Sequence, residues 1–289
     1  MTTIGFIGLG AMGRPMARHL AASGFTVTGF DPYAPVDRLD GFERAHTAAQ
    51  AADADVVALM VATPTQAESA LGGPDGVLAG LRPGAVVIVM ATVGLESVQA
   101  IAAQVEAASG LVVDAPVSGG VRRAATGDLL IMASASPDAF ARADATLDAL
   151  GGNVYRLGAA VGDGQRMKLV NQLLCGVHIA VAAEGLAYAE SLGVDPEQAL
   201  AILSSGAAAS FMLADRGPRM VAEEFDEPKS AIDIFVKDLG LVRAEARLPL
   251  PMVDAAFERF AAASAHGDGR LDDSAVITTY TRIDQEEHA

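Results

Sequence analysis

The sequence predicts an α/β fold in which an N-terminal doubly wound parallel sheet is followed by a C-terminal all-helical domain, the two joined by a long interdomain helix. Three observations support this. A glycine-rich turn links the first apolar run to a helical pattern, strand-like and helix-like runs alternate through the first half, and the second half is patterned almost continuously as helix. Because the pattern changes after Gly158, we divide the chain into domains 1–161 and 162–289.

The first three elements are a strand, a turn and a helix. Residues 4–7 form a short apolar strand that leads directly into Gly8-x-Gly10-x-x-Gly13, and Met16, Ala17 and Leu20 follow at helical spacing. Glycines alone would indicate little, but a strand before them and a helix after them are the context that a dinucleotide site requires.

Each glycine of this turn has a physical role in such a site. Gly8 permits the tight turn, Gly10 lets the backbone approach a pyrophosphate, and Gly13 allows the helix to pack closely on its strand. The helix N-terminus, with Ala11 and Met12 just before it, presents amide groups and a partial positive charge to the phosphates. The pattern predicts a Rossmann-type NAD-binding domain. The alternative is a glycine-rich turn in an ordinary α/β protein.

A second strand, residues 25–30, ends in Asp31, where an acidic residue would accept hydrogen bonds from the adenosine ribose hydroxyls. A 2′-phosphate would lie against this carboxylate, and the nearest arginine, Arg38, is seven residues away along the chain. The sequence therefore favours NAD over NADP.

Four more strand-like runs follow, separated by helical patterns. They are residues 55–61, 85–90, 111–114 and 129–133. Glycine and proline turns at residues 72–76 and 82–84 agree with these boundaries. Such alternation indicates βαβ units and a mainly parallel sheet.

The second half begins with one long helical segment, residues 164–192. Asp195-Pro196-Glu197 then supplies an N-cap and a first-turn proline for the next helix. We expect residues 284–289 to form a solvated tail.

Composition limits the partners. The chain has 289 residues, 51% of them hydrophobic, and a formal net charge of −16. This charge argues against nucleic acid or an anionic membrane as the main partner. A small anionic substrate would need local positive charge to offset the repulsion from this net negative charge.

The cysteine and histidine content of the sequence predicts neither a disulfide nor a metal site. Cys175 is the single cysteine, which excludes an internal disulfide, and the five histidines are scattered without ligand spacing, so no metal is predicted. With neither a basic leader nor an uninterrupted apolar run of about 18 to 20 residues, we expect a cytoplasmic protein.

Four ordered blocks carry a family resemblance. They are Gly5-Phe-Ile-Gly-Leu-Gly-Ala-Met-Gly13, Asp114-Ala-Pro-Val-Ser-Gly-Gly120, Gly162-Asp-Gly-Gln-Arg-Met-Lys168-Leu-Val-Asn171 and Lys237-Asp-Leu-Gly-Leu-Val242. Over nearly its whole length the chain resembles the β-hydroxyacid dehydrogenase family, which includes 3-hydroxyisobutyrate dehydrogenase and, more distantly, 6-phosphogluconate dehydrogenase. Segments 171–180, 230–238 and 272–277 are most similar to the L-threonate dehydrogenase branch of that family.

The resemblance implies that Lys168 is the general acid and base and that Asn171, on the same helical face, shares a substrate oxygen with it. Taken alone, a lysine on a long helix is more often a solvated surface residue. A lysine titrates near about 10.4, so Lys168 would act as a base only if burial or neighbouring cations lower its pKa. Cys175 and His178 continue the stripe about 10 and 15 Å further along, so we expect them to pack rather than react.

The resemblance also assigns a substrate cradle and a set of cofactor contacts. Ser118-Gly119-Gly120 would present a hydroxyl and backbone amides to the substrate carboxylate, with Arg122 or Arg123 as the local cation, unless it is a plain glycine turn. Asp238 would orient Lys168 or Asn171. Four positions would line the cofactor: Val61, Ala62, Thr92 and Lys237.

The implied reaction is NAD-dependent oxidation of a small polar 2- or 3-hydroxy acid, with L-threonate to 2-oxo-tetronate favoured. Tartronate semialdehyde, 3-hydroxyisobutyrate and a phenylserine-type 3-hydroxy amino acid are alternatives. A non-catalytic NAD-binding redox sensor would be expected to lose Lys168 or Asn171, and both are present. The resemblance further implies a homodimer or homotetramer.

Overall fold

The computed structural model describes residues 1–34 and 41–281, so Arg38 and the expected tail at 284–289 lie outside the described residues. The chain forms two compact units, Met1–Lys168 and Leu169–Ala289. The boundary between these first and second units falls inside a helix, seven residues after the boundary expected from the sequence. The domain division at residue 161 remains a prediction.

The first unit is built on one sheet. Its strands are β1 (Thr3–Ile7), β2 (Thr26–Phe30), β3 (Glu43–Arg44), β4 (Val56–Leu59), β5 (Val86–Val89), β6 (Leu111–Asp114), β7 (Val117–Ser118), β8 (Leu129–Ala135) and β9 (Gly151–Gly158). They lie in the order β3-β2-β1-β4-β5-β6-β8-β7, and β9 pairs with β8. Strands β1 to β6 are parallel, β8 runs antiparallel to β6 and β7, and β9 runs parallel to β8. The predicted parallel-dominated sheet is confirmed.

Both faces of the central strands of this sheet are buried. In β4, Val56 and Ala58 pack in one apolar cluster, and Val57 and Leu59 pack in the other. Side chains alternate between the faces of a strand, so burial on both faces explains why the central strands are continuous apolar runs. Strand β9 was not predicted because it begins with two glycines and most of its residues are exposed.

Helices cover the sheet. They are α1 (Gly13–Ala22), α2 (Ala48–Ala52), α3 (Pro64–Leu71), α4 (Val77–Gly80), α5 (Leu95–Ala107), α6 (Gly120–Thr126) and α7 (Pro137–Leu150). Two of them begin in the same way, because Thr63 and Ser136 cap α3 and α7 through their side-chain oxygens and proline occupies the first turn.

The second unit is helical, as predicted. It contains most of α8 (Asp163–Ser191), followed by α9 (Pro196–Ser205), α10 (Phe211–Ala222), α11 (Ile232–Ala244), α12 (Pro251–Ala265) and α13 (Thr278–Thr281), with 3₁₀ turns at Asp268–Arg270 and Asp273–Ile277. Its core includes a stacked pair, Phe235 and Phe260, whose ring centroids are 5.1 Å apart. Leu239 packs so closely on α8 that a Cβ on Gly176 would lie 2.7 Å from it.

By length and composition alone, α8 could cross a membrane, since its most apolar 18-residue window has a mean hydropathy of 1.4. The sequence contains no uninterrupted apolar run of about 18 to 20 residues, so it had not indicated a helix of this kind. A buried helix of a globular core meets the same test, and Ile179, Ala183 and Leu186 of α8 lie in the core of the second unit.

Candidate active site

The glycine turn between β1 and α1 combines two tight positions with one open position. Gly8 has a φ of 93°, and a Cβ on it would lie 2.2 Å from the carbonyl oxygen of Met60. A Cβ on Gly13 would lie 1.9 Å from the carbonyl oxygen of Gly8, whereas one on Gly10 would meet no atom within 4 Å. The protein's own packing therefore requires Gly8 and Gly13, while Gly10 faces open space.

The N-terminus of α1 fits an anionic group. Ala11 and Met12 precede the helix, and Met12, at the N-cap position, makes no side-chain capping bond to the first-turn amides. The first turn also contains no acidic residue. The N–H of Arg14 donates to the carbonyl oxygen of Gly10 and Pro15 has no N–H, so the helix dipole and the amides that precede Arg14 are what this N-terminus offers a pyrophosphate.

Asp31 follows β2 and is held by two backbone amides. Its Oδ2 accepts a hydrogen bond from the N–H of Leu9 at 2.7 Å, and its Oδ1 accepts one from the N–H of Tyr33 at 2.8 Å. Leu9 lies within the glycine turn. The carboxylate predicted to bind the ribose therefore also fixes the turn predicted to bind the phosphates.

An arginine that the sequence analysis missed lies beside Asp31. Arg44 donates to the carbonyl oxygens of Ala34 at 3.0 Å and Asp31 at 3.4 Å. Its strand, β3, pairs with β2 and brings it to the end of that strand. Separation along the chain, which had suggested Arg38 as the nearest arginine to Asp31, does not show which arginine lies nearby in space. The sequence could have indicated Arg44 only if the short strand β3 and its pairing with β2 had been predicted.

The three other cofactor-lining positions of the first unit follow the carboxyl ends of parallel strands. Val61 follows β4, and its Cγ1 would lie 3.2 Å from a Cβ on Gly8. Ala62 is exposed and its N–H donates to Gln66, and Thr92 is partly buried in the loop after β5. Dinucleotides bind along this edge of a doubly wound sheet. Their contacts with the cofactor remain predictions.

The turn Ser118-Gly119-Gly120 depends on glycine conformations. Ser118 ends β7 and is partly buried, while Gly119 and Gly120 have φ values of 138° and 69°. These are values that residues with a side chain rarely adopt. A Cβ on Gly120 would meet no atom within 4 Å, so this side of the turn is open.

The two arginines after this turn differ. Arg123 packs beneath the turn, since a Cβ on Gly119 would lie 2.9 Å from its Cδ, and it pairs with Asp128 at 3.0 Å. Arg122 is exposed. Because the charge of Arg123 is already paired, Arg122 is the better candidate for an anionic substrate.

The start of α8 is anchored by a buried carboxylate that the sequence analysis did not single out. Asp114, fully buried at the end of β6, accepts hydrogen bonds at its Oδ2 from the N–H groups of Gly162 at 2.9 Å and Gln165 at 3.0 Å. Ser134 donates to the same oxygen at 3.3 Å and accepts from the N–H of Gly164 at 3.0 Å. Burial raises the pKa of Asp114, and the hydrogen bonds from Gln165 and Gly162 oppose this shift.

Lys168 lies one helical turn after Gln165 and is only 6% exposed. The interpretation of this residue as a solvated surface lysine is therefore wrong. A buried lysine is rare because taking its charge out of water is unfavourable, so its burial requires a functional or structural reason.

Gln172 is the second residue that the sequence analysis missed. It lies four residues after Lys168, which is the same helical face, and it is 6% exposed, whereas Asn171 is half-buried. The Asn171 amide donates to Gln172 Oε1 at 2.8 Å and to Cys175 Sγ at 3.4 Å. The spacing of four residues from Lys168 could have identified Gln172 in the sequence, but the family resemblance indicated only Asn171.

Asp238 lies on α11 and bonds to Gln172, not directly to Asn171. Gln172 Nε2 donates to Asp238 Oδ2, and the ammonium group of Lys237 lies 2.8 Å from Asp238 Oδ1. Gln172 therefore connects Asp238 to Asn171, and the role of Asp238 in orienting Lys168 or Asn171 remains a prediction. The result is a polar chain within the second unit that runs from Asn171 through Gln172 and Asp238 to Lys237.

Segment 272–277, part of the resemblance, forms a buried ion-pair cluster in the second unit. Arg216 donates to both oxygens of Asp273, at 3.1 and 2.9 Å, and Arg219 donates to Asp272 at 2.9 Å. These pairs join α10 to the 3₁₀ turn that begins at Asp273. The segment therefore has a structural explanation.

Among residues 1–34 and 41–281, no group of three histidine, cysteine or acidic side chains is arranged to hold a metal ion. Cys175 packs at the edge of the core of the second unit, and His178 is partly buried.

Two family profiles together span most of the chain. The profile described as the NAD-binding domain of 6-phosphogluconate dehydrogenase matches residues 3–158. The profile described as the NAD-binding region of NADP-dependent 3-hydroxyisobutyrate dehydrogenase matches residues 162–280.

Individual relatives agree. An L-threonate dehydrogenase of Cupriavidus necator is 41% identical, with 97% of each chain covered. A 2-hydroxy-3-oxopropionate reductase of Escherichia coli is 34% identical, with 95% of each covered. A crystal structure described as 3-hydroxyisobutyrate dehydrogenase from Salmonella typhimurium superposes with a TM-score of 0.90 at 39% identity, covering 96% of this chain and all of that one.

The fold, the open glycine turn and these matches define an oxidoreductase that uses a nicotinamide dinucleotide. The chain belongs to the 3-hydroxyisobutyrate dehydrogenase-like branch of the β-hydroxyacid dehydrogenases. Its reaction class is the NAD(P)-dependent interconversion of a hydroxy acid and the corresponding carbonyl compound.

Proposed function

We propose that this enzyme oxidises L-threonate to 2-oxo-tetronate with NAD, using Lys168 as the general acid and base. The observation that carries the proposal is the burial of Lys168, one turn after the anchored start of α8. The 41% identity to an L-threonate dehydrogenase over nearly the whole chain supports the choice of substrate.

Lys168 has one task in each direction. During oxidation its Nζ takes the proton of the substrate hydroxyl, and during reduction the ammonium group polarises the carbonyl and returns the proton. The bound nicotinamide supplies the hydride acceptor. Both amide hydrogens of Asn171 are engaged, so we assign its Oδ1 to accept a hydrogen bond from a substrate hydroxyl.

The substrate carboxylate is assigned to the open side of the Ser118-Gly119-Gly120 turn, with Arg122 nearby as the cation. A hydrogen bond to a charged group contributes about 1.5 to 3 kcal/mol. Replacing the carboxylate by a neutral alcohol, as in threitol, should therefore lower kcat/KM at least about tenfold, since 1.36 kcal/mol corresponds to one decade.

NAD is proposed over NADP because the carboxylate of Asp31 would repel a 2′-phosphate. Arg44, beside it, donates to two backbone carbonyls, so it supports the loop after β2 rather than an added phosphate. Comparing kcat/KM for the two cofactors in the unmodified enzyme tests this assignment, and a preference for NADP would overturn it.

The central test is Lys168→Ala. We expect turnover to fall by about 10² to 10⁴, the usual contribution of a general acid and base, while the Kd for NAD stays within a few-fold. Lys229→Ala is the matched control, because that lysine is exposed and is expected to leave both values unchanged. Lys168→Ala activity within about tenfold of wild type would refute the assignment.

A panel of hydroxy acids followed by NADH absorbance tests the substrate. Threonate should be the best substrate. If tartronate semialdehyde, 3-hydroxyisobutyrate or phenylserine reacts and threonate is inert, the reaction class stands and the substrate is wrong. A response of NAD binding to redox state without turnover of any acid would favour a sensor.

The enzyme is further proposed to act as a homodimer or homotetramer, in the cytoplasm. The support is an uncharged stripe on the part of α8 in the second unit. Val170, Leu174, Val181 and Tyr188 are between 49% and 64% exposed and lie within roughly 40° around the helix axis. In a chain of net charge −16, an uncharged stripe is where two copies can approach most easily.

The spacing favours an antiparallel pair of α8 helices. Leu174 and Val181 are equally far from the point between Val177 and His178, so a two-fold axis there pairs Leu174 of one copy with Val181 of the other. Leu174 would then lie about 10.5 Å along the axis from its own copy, too far for a disulfide.

Cross-linking tests this arrangement in a Cys175→Ser background, which removes the native cysteine. Leu174→Cys and Val181→Cys proteins should form disulfide-linked dimers when mixed, but not alone. A link in Leu174→Cys alone would indicate parallel helices, and a monomeric protein in sedimentation would refute the interface.

A further inference from the structure

The side chain of Gln165 is fully buried, and each of its polar positions is used. Its Oε1 accepts hydrogen bonds from the N–H groups of Val93 at 3.0 Å and Gly94 at 3.1 Å. Its Nε2 donates to the carbonyl oxygen of Ala91 at 3.0 Å and to Asp114 Oδ1 at 3.0 Å. A primary amide has two acceptor sites and two donor hydrogens, so Gln165 is saturated.

These bonds join two segments of the first unit. Ala91, Val93 and Gly94 surround Thr92 in the loop after β5, the loop predicted to lie along the cofactor. Gln165 itself belongs to the first turn of α8, about 4.5 Å along the axis before Lys168. One side chain therefore fixes the cofactor loop against the helix that carries the proposed acid and base.

The orientation of the Gln165 amide is determined from both sides. Two N–H donors face its Oε1, and Asp114 Oδ1 faces its Nε2. Rotating the amide by 180° would place donors against donors and the amide oxygen against a carboxylate. A buried amide in this setting has one stable orientation, because an unmatched buried polar group is costly.

We infer that Gln165, oriented by Asp114, is a positioning residue for catalysis: it holds Lys168 and the loop at Thr92 at the separation that proton and hydride transfer require. The inference rests on the proposed role of Lys168. Small misplacement of reacting groups can cost about a hundredfold in rate without loss of binding. Gln165 does not touch the substrate in this scheme, so its effect should appear in the chemical step.

The first experiment uses Gln165→Leu, which keeps approximate size and removes all four hydrogen bonds. We expect kcat to fall by roughly 10- to 100-fold while KM and the Kd for NAD change less than about threefold. The isotope effect with substrate deuterated at the reacting carbon should rise, because the chemical step becomes more rate-limiting. An unchanged kcat, or a loss confined to KM, would overturn the inference.

Ser134→Ala is the matched structural control. Ser134 bonds to Asp114 and Gly164 but not to the loop at Thr92, so its loss should lower the melting temperature and leave kcat within about threefold. If Ser134→Ala lowers kcat as much as Gln165→Leu, the network is only a scaffold and the inference is wrong.

If Gln165→Leu does not fold, exchanging the donor and acceptor roles of residues 114 and 165 tests the same inference. Gln165→Glu places a carboxylate oxygen against Asp114, whereas the double variant Asp114→Asn/Gln165→Glu restores a donor and an acceptor there. We expect the double variant to recover at least about tenfold in kcat over Gln165→Glu. No recovery would overturn the inference. Lys168→Ala separates the two proposals: full activity there refutes the proposed function, whereas loss there with wild-type kcat in Gln165→Leu refutes only this inference.

Discussion

Two glycines of the same turn should respond oppositely to alanine substitution. A Cβ on Gly10 would meet no atom within 4 Å, whereas a Cβ on Gly13 would lie 1.9 Å from the carbonyl oxygen of Gly8 and 3.0 Å from the ring of Phe6. If Gly10 is where the backbone approaches the pyrophosphate, Gly10→Ala should damage binding and spare folding. Gly13→Ala should damage folding.

The magnitudes follow from these distances. In Gly10→Ala the free energy of unfolding should stay equal or rise by about 0.4 to 1 kcal/mol, because alanine reduces the entropy of the unfolded chain. A methyl group in the path of the pyrophosphate that removes one charge-assisted hydrogen bond costs about 1.5 to 3 kcal/mol. The Kd for NAD should therefore rise roughly 10- to 150-fold.

Gly13→Ala cannot be accommodated by a side-chain rotation, because the clashing atom is a backbone oxygen. Forcing extra volume into a packed site costs about 1 to 3 kcal/mol or more. At roughly 2 to 4 °C per kcal/mol for a domain of 150 to 250 residues, the melting temperature of the apoprotein should fall by about 2 to 12 °C.

Two assays separate the effects: thermal unfolding of the apoprotein by circular dichroism, and NAD titration by isothermal calorimetry. If Gly10→Ala binds NAD within about threefold of wild type, the pyrophosphate does not approach the backbone at Gly10. If Gly13→Ala melts at the wild-type temperature, the close packing at Gly13 does not limit the stability of the apoprotein.

Three further predictions concern single side chains. Asp31→Ala should narrow the preference for NAD over NADP by about fivefold or more, because a unit charge 4 Å away contributes roughly 1 to 4 kcal/mol; unchanged kcat/KM ratios would contradict this. Gln172→Leu breaks the polar chain from Asn171 to Asp238, so it should raise KM for the hydroxy acid more than the Kd for NAD. Steady-state kinetics measure the change in KM, and NAD titration measures the change in Kd. For Asp272, burial acts to raise the pKa, but hydrogen bonds, led by those from Ser274, outweigh burial and hold it below the ordinary value of 3.8. The ionised carboxylate therefore contributes stability above about pH 4 that is lost as pH falls through the folded-state pKa, so urea unfolding of Asp272→Asn should depend less on pH below 4 than the wild type.

Local patterns were sufficient for the architecture. The run from residue 4 to Asp31 contains the strand, turn, helix and second strand in sequence, and each is determined by neighbouring residues. The parallel sheet followed from the alternation of apolar runs with helical periodicity, because burial on both faces leaves little polar content in the strands. The helical second unit followed from periodicity alone.

Features that depend on distant pairing were not predictable in this way. Arg44 reaches the end of β2 only through a strand pairing, and Asp114 and Gln165 meet across 51 residues of chain. Strand β9 pairs with β8 although its own residues are mostly exposed and begin with glycine. Gln172 was within reach of sequence reasoning, since residues four apart share a helical face, but the resemblance drew attention to Asn171.

The double attachment of Asp31 limits how the cofactor preference of this enzyme can change. Replacing Asp31 to admit a 2′-phosphate also removes the acceptor for the N–H of Leu9 and so loosens the turn that any dinucleotide needs. A lineage moving toward NADP would pass through a form that binds both cofactors poorly, unless a new acceptor for Leu9 arose first. Arg44 is held by two backbone carbonyls, so such a lineage would have to acquire both a new acceptor for Leu9 and a cation for the phosphate, and the need for both sets the barrier between the two specificities.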